Sequence, residues 1–276
     1  MNVTTPELDS IKRSDAGATI PTGFTELDAL LDGGTRPGQL VILAGLSGAG
    51  VSTLALGLVR HAAIGKHLTS ALISFQSTKV DTVIRMLSAE ARVRMRDLRS
   101  GQLTEDDWTK LARRMGEVSE SPMFMDDEGP ATLGHIRAVA EHVREANDAK
   151  LIVVDCVHQI VSENGRGEEM AEVTRELKQL AMETGTVVVA VARVEQPKGW
   201  RLDMRPTLAE LRNAGSSLVD DADVVILLHR DDYFDSESPM VGEAELIVAK
   251  QRDGVTGTAT VATQLHLSRF VSMAVT

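Results

Sequence analysis

The chain has 276 residues, 43% of them hydrophobic, with 29 Lys and Arg against 40 Asp and Glu and a formal net charge of −11. One large α/β core fits that size without a second domain, and the single cysteine, Cys156, excludes a disulfide framework and a cysteine metal cluster. The acidic balance argues against a generally basic nucleic-acid coat, although a ring can be basic only along its channel, and with 3% aromatic residues any nucleic-acid contact falls on the phosphate backbone rather than on stacked bases.

Residues 1–19 read as a polar tail carrying one short amphipathic candidate, Glu7–Arg13, that could dock on a partner; residues 20–276 read as one domain. Ile20–Asp28 predicts a turn followed by a short helix, and Gly33–Gly38 a loop into the first strand. Short apolar runs then alternate with helical stretches: Leu40–Ala44, Ala71–Phe75, Met123–Met125, Leu151–Val154, Val187–Val191 and Val224–Leu228, with amphipathic segments such as Val80–Arg96 and Ala131–Ala146 between them. The alternation predicts an α/β fold, a mostly parallel twisted sheet with helices on both faces. Ala244–Ala249, Thr258–Thr263 and Leu265–Phe270 follow one another with only turns between, and predict antiparallel strands at the C-terminal edge. No apolar run approaches the roughly 18 residues of a membrane span, and the first residues lack the basic and apolar parts of a signal peptide, so a cytoplasmic protein with no membrane partner is expected.

The first strand runs into Gly45-Leu-Ser47-Gly48-Ala49-Gly50-Val51-Ser52-Thr53. This matches the phosphate-loop pattern G-x-x-x-x-G-K-[ST] at every defined position except the lysine, where the chain has Val51. In 276 residues with 22 glycines the pattern without its lysine arises by chance about 0.25 times, so the match rests on its setting between a buried strand and a helix. There, backbone N–H groups and a helix N-terminus can hold phosphates. An ordinary glycine-rich βα turn would leave the same trace.

Ligands of doubly wound sheets sit at the carboxyl ends of strands. Asp155 directly follows four apolar residues, the place of a Mg²⁺-organising carboxylate, and Ser52 supplies the matching hydroxyl; a strand-end Asp capping a turn is the plainer alternative. Gln76 ends the second run where a hydrolase would want a carboxylate, and an amide orients water without accepting its proton. Lys250 and Arg252 close a late strand, as a solvated turn or as cations reaching into a neighbour's site. Arg205–Ser217 reads as a polar loop whose Arg212 and Gly215 could contact a phosphate backbone, and Arg166 lies in a glycine-flanked loop of similar character.

Taken together, these segments resemble the C-terminal RecA-like motor domain of the DnaB family of replicative helicases. The resemblance runs from about Ile20 to Phe270 and is carried by Ile20–Asp28, Gly101–Trp108, Leu151–Asp155, Arg175–Leu180, Asp221–Val225 and Ala249–Gly257. It implies a RecA-like P-loop NTPase fold, a hexameric homo-oligomeric ring or a mixed ring with an intact helicase, ATP and Mg²⁺ bound between subunits, and single-stranded DNA in the channel. Under it Asp155 becomes the Walker B carboxylate, Lys250 and Arg252 the cations inserted into the adjacent subunit, and the segment around Arg212 and Gly215 a DNA contact. Other RecA-like ATPases, of the recombination or clock type, share loop and fold, but the segment ending in Trp108 and Lys250–Arg252 favour the DnaB family.

The departures fall on the hydrolytic positions. The family's P-loop lysine is Val51, its catalytic glutamate is Gln76, and its γ-phosphate-sensing glutamine is Arg193. The resemblance therefore predicts a nucleotide site in which ATP and Mg²⁺ binding is weak or lost and hydrolysis absent, with Arg193 able to return a positive charge. An active helicase translocating on single-stranded DNA is the alternative.

Overall fold

The computed structural model describes residues 19–161, 170–195, 199, 201 and 203–273. Nine strands form one sheet in the order β3-β2-β4-β5-β1-β6-β7-β8-β9: β1 (Leu40–Leu46), β2 (Ser70–Ser74), β3 (Met123–Asp126), β4 (Leu151–Asp155), β5 (Val187–Val194), β6 (Val224–His229), β7 (Glu243–Gln251), β8 (Gly257–Gln264) and β9 (Arg269–Ser272). Pairings from β3 through β6 are parallel, and β6-β7, β7-β8 and β8-β9 are antiparallel. Both halves of the sheet expectation hold.

Continuous apolar runs make buried parallel strands because both faces are covered. Val41 and Leu43 pack with Leu54 and Leu58 of α2 (Val51–Arg60), whereas Leu40, Ile42 and Ala44 pack with Ile136 and Ala140 of α6 (Leu133–Asn147) and Leu177 and Leu180 of α7 (Met170–Thr184). Three further helices, α3 (Lys79–Ala91), α4 (Met95–Ser100) and α5 (Glu105–Ser119), enclose a smaller cluster of Ala91, Val93 and Leu111. The remaining helices are α1 (Thr25–Leu30), α8 (Leu208–Ala214) and α9 (Ser217–Asp220).

Three sequence expectations need correction. The amphipathic stretch Val80–Arg96 is two helices, because Arg92 turns into the left-handed region (φ 55°) and buries Val93. Arg205–Ser217 is not a loop: Thr207 and Glu210 form a reciprocal capping box that starts α8, a Thr-x-x-Glu signature legible in the sequence. Leu265–Phe270 is a strand only from Arg269, because Gln264 already pairs with Arg269 across the hairpin and the intervening residues make a 3₁₀ turn. The Glu7–Arg13 segment lies outside the described residues.

One ionic hub fixes the lower end of the sheet, where β1 and β6 begin. Asp223, 6% exposed at its side chain, pairs with Lys178 Nζ at 2.6 Å and with Arg252 at 3.1 Å, and its Oδ2 accepts the Leu40 N–H at 2.8 Å. Lys178 Nζ also donates to the Gly38 carbonyl at 2.9 Å. Removing one member of such a buried pair strands its partner, at a cost of about 3–5 kcal/mol. We expect Asp223→Ala to lose stability on that scale in urea unfolding, and Arg252→Ala, whose guanidinium is half-exposed, to lose less than about 1 kcal/mol.

Candidate nucleotide site

The upper end of the sheet carries the chemistry. β1 passes into a turn whose Gly48 (φ 85°) and Gly50 (φ 109°) sit in the left-handed region, and α2 starts immediately after Gly50. Side chains would strain both positions. Gly50 also faces β9, since a Cβ added there would lie 3.0 Å from Phe270 Cζ. The added C-terminal strands thus brace the loop from behind.

Gly45, Leu46, Ser47, Gly48, Gly50, Val51, Ser52, Thr53, Gln76, Asp155 and Arg193 line one cleft of about 340 Å³, together with Ser77, Arg85, Cys156, Val191 and Ala192. The parallel sheet explains this convergence. β2, β4, β5 and β1 run the same way, so residues ending each strand emerge at one edge. Ala49, the remaining predicted loop residue, is 3% exposed and packs inward with the core.

Asp155 is 5% exposed, and the Ser52 hydroxyl donates to its Oδ1 at 3.0 Å. Burial pushes the Asp155 carboxyl up from its ordinary range, opposed by the Ser52 hydrogen bond and by the positive charges of Arg85 and Arg193. A hydroxyl and a carboxylate held together at a phosphate loop are the hard oxygen donors that Mg²⁺ takes alongside phosphate oxygens. Among the described residues no three His, Cys, Asp or Glu side chains are placed to hold a metal on their own, so a cation at Ser52 and Asp155 would depend on the phosphates for most of its ligands. Cys156 is buried and its thiol is pushed up by burial, which makes it a poor nucleophile.

Val51 is 8% exposed and belongs to the apolar core. A Cβ placed on Gly45 would come within 2.9 Å of both Val51 Cγ2 and the Leu228 carbonyl oxygen, so the valine fills the crevice between β1 and β6. It forms part of the cleft wall and carries no donor. Gln76 is exposed just beyond β2. Arg193 is exposed near the end of β5, its backbone N–H donating to His158 Nε2 at 3.0 Å.

The other predicted residues lie elsewhere. Lys250 and Arg252 are at the far end of β7, in register with the start of β6, about five strand residues or ~16 Å below the loop. Lys250 Nζ donates to the carbonyls of Val219 (2.6 Å), Asp220 (3.1 Å) and Ala222 (2.6 Å). Neither cation reaches the cleft of its own chain. Arg212 is on α8, paired with Asp220 at 2.8 Å; Gly215 follows that helix against Met170; Arg166 lies outside the described residues.

Three residues escaped the sequence reading. Arg85 enters the cleft from the middle of α3, and nothing in a solvated helical pattern marked it. Tyr233 Oη donates to the Ser47 carbonyl at 3.0 Å and Arg230 Nη1 to the Ala49 carbonyl at 3.4 Å. Both follow β6, and the rule that strand ends carry ligands could have flagged them.

A glycine loop between strand and helix, a strand-end Asp bonded to the loop serine, and a parallel sheet extended by antiparallel strands define a RecA-like P-loop nucleotide-binding domain. Within that class the chain belongs to the DnaB-like helicase C-terminal domain family, whose model matches residues 19–272. It is 47% identical over 226 residues to the replicative DNA helicase DnaB of Mycobacterium leprae, covering 81% of this chain and 37% of that protein. It is 38% identical over 278 residues to DnaB of Leifsonia xyli, covering 99% of this chain and 60% of the relative. The chain therefore spans less than two thirds of each of these relatives. Its fold superposes on a solved structure described as an ATPase domain with a TM-score of 0.89, 26% identity, and coverage of 97% of this chain and 96% of that one. A DnaB-like replicative helicase whose structure is described with its interactions with primase matches at the same TM-score and identity, with 66% of that chain covered. Among the described residues no helix is long and apolar enough to cross a membrane.

A buried carboxyl whose folded-state pKa is raised above the unfolded value is least costly when protonated, and its cost grows as pH rises through the unfolded carboxylate range. Asp155→Asn is therefore expected to raise the thermal midpoint at pH 7 and to leave it nearly unchanged near pH 3, measured by thermal melts at the two pH values.

Proposed function

We propose that this chain is a DnaB-type RecA-like domain, acting in DNA replication or a related DNA transaction, that binds nucleotide weakly and does not turn it over. The observation that carries this reading is Val51, which places a buried methyl where the family pattern calls for an ammonium, beside Gln76 in place of a carboxylate. Losing one charged phosphate contact costs on the order of 1.5–3 kcal/mol, about ten- to a hundredfold in affinity, which binding can survive. Losing the general base as well removes a further 10²–10⁴-fold in rate, roughly. On this reading Ser52 and Asp155 would hold Mg²⁺ weakly or not at all, and Gln76 can only orient a water and has no basic site to take its proton.

On this reading residues 20–276 form the motor-type unit and 1–19 a docking tail, assembled as a hexameric ring with itself or with an intact helicase, as scaffold or regulator. Arg252, half-exposed and held by Asp223, is the better candidate of its pair to reach a neighbouring subunit, since the Lys250 ammonium is taken up by three carbonyls. Arg212, Gly215 and Arg166 are the proposed contacts to single-stranded DNA, with Arg212 free to exchange Asp220 for a phosphate.

The retained Ser52–Asp155 bond favours the other reading, an active ATP-driven helicase. The two separate on one measurement. Purified protein with ATP, Mg²⁺ and single-stranded DNA is expected to release phosphate no faster than its Asp155→Asn variant, whereas turnover above that control would establish the motor. Val51→Lys combined with Gln76→Glu is expected to raise turnover above the parent.

A further inference from the structure

The cleft lacks a lysine but not positive charge. Arg85 and Arg193 both line it, one from α3 and one from near the end of β5. Among the described residues neither has a carboxylate within the 4.0 Å ion-pair distance. By contrast Arg230, which bonds the loop at the Ala49 carbonyl, is engaged with Asp232 at 3.0 Å. Arg85 is half-buried, and a half-buried guanidinium without an ion pair is poised for an anion from outside.

The charge count of the cleft points the same way. Gln76 is neutral, so among the described residues Asp155 is the only carboxylate in the lining, which also holds two guanidinium groups. Both are near enough to Asp155 to favour its ionised form. An incoming phosphate would meet a net positive wall, the amides of the glycine loop and the start of α2. Guanidinium groups bind phosphate oxygens in pairs and keep their charge at any accessible pH. Two of them supply the charge that an ammonium and a divalent cation would otherwise provide.

We propose that Arg85 and Arg193 together hold the phosphoanhydride of a nucleoside di- or triphosphate in this cleft, and that they do so without a divalent cation. This rests on the nucleotide-binding part of the function proposed above and goes beyond it in naming the cations and the metal independence. Calorimetric titration with ADP and with pyrophosphate, each in Mg²⁺ and in EDTA, tests it on the parent chain, Arg85→Met, Arg193→Met, the double variant, and Arg113→Met as an exposed control on α5. The parent is expected to bind both probes with dissociation constants within about threefold between Mg²⁺ and EDTA. Each single variant should weaken binding about ten- to a hundredfold, the double variant should show none, and the control should match the parent. Should Arg85→Met fail to fold in a thermal melt, Arg85→Lys keeps the charge without the paired geometry and is expected to bind more weakly than the parent. Binding that requires Mg²⁺, binding that survives in the double variant, or no binding by the parent would each overturn the proposal. Phosphate release by the parent would instead overturn the non-hydrolysing reading and leave this one standing.

Discussion

The hydrogen bond from Ser52 to Asp155 holds the site together. It joins the first turn of α2 to the last residue of β4, two side chains 103 positions apart in the sequence, and sets the glycine loop against the strand ends. Asp155 is nearly enclosed, so its charge is tolerated only because Ser52 bonds it and Arg85 and Arg193 lie near. The arrangement costs stability at neutral pH, and buried groups of this kind are a common expense of a functional cleft.

That cost separates two properties which a motif match alone would merge. Val51 contributes to the core, and the loop keeps its left-handed glycines, its buttress at Phe270 and its clasp by Tyr233 and Arg230. A valine is favourable to folding at a position that lies beside Gly45 within the apolar core. The fold therefore loses nothing by the substitution, and the whole effect falls on charge within the cleft. Fold and family membership are accordingly independent of whether nucleotide is cleaved.

The strands were legible because parallel strands covered on both faces must be apolar at consecutive positions, and Leu40–Ala44 through Val224–Leu228 satisfy that rule. The site was legible where the same topology gathers strand ends, which is why Gln76 and Asp155 could be singled out, whereas Arg193 was marked only by the resemblance to the DnaB family. Arg85 was not legible: it is one charged residue within an amphipathic helix, and only the docking angle of α3 turns it toward the cleft. The loop assigned to Arg205–Ser217 failed for a different reason, since glycine and proline drew the reading and the Thr207–Glu210 capping box was passed over. Tyr233 and Arg230 touch the loop through backbone carbonyls, and only their position just after β6 marked them.

The two ends of the sheet are built on opposite principles. At the lower end Asp223 satisfies its charge with two cations and a backbone amide, and Lys250 takes up three carbonyls around the end of α9, so polar groups there are closed among themselves. At the upper end the guanidinium groups of Arg85 and Arg193 have no ion pair among the described residues, although both line the cleft. A polar group left open at the edge of a buried sheet is costly unless something external completes it. What completes it must be anionic, must fit a cleft of about 340 Å³, and must offer acceptors rather than donors. Polyphosphate meets all three conditions, and nothing in that requirement calls for the phosphate to be cleaved.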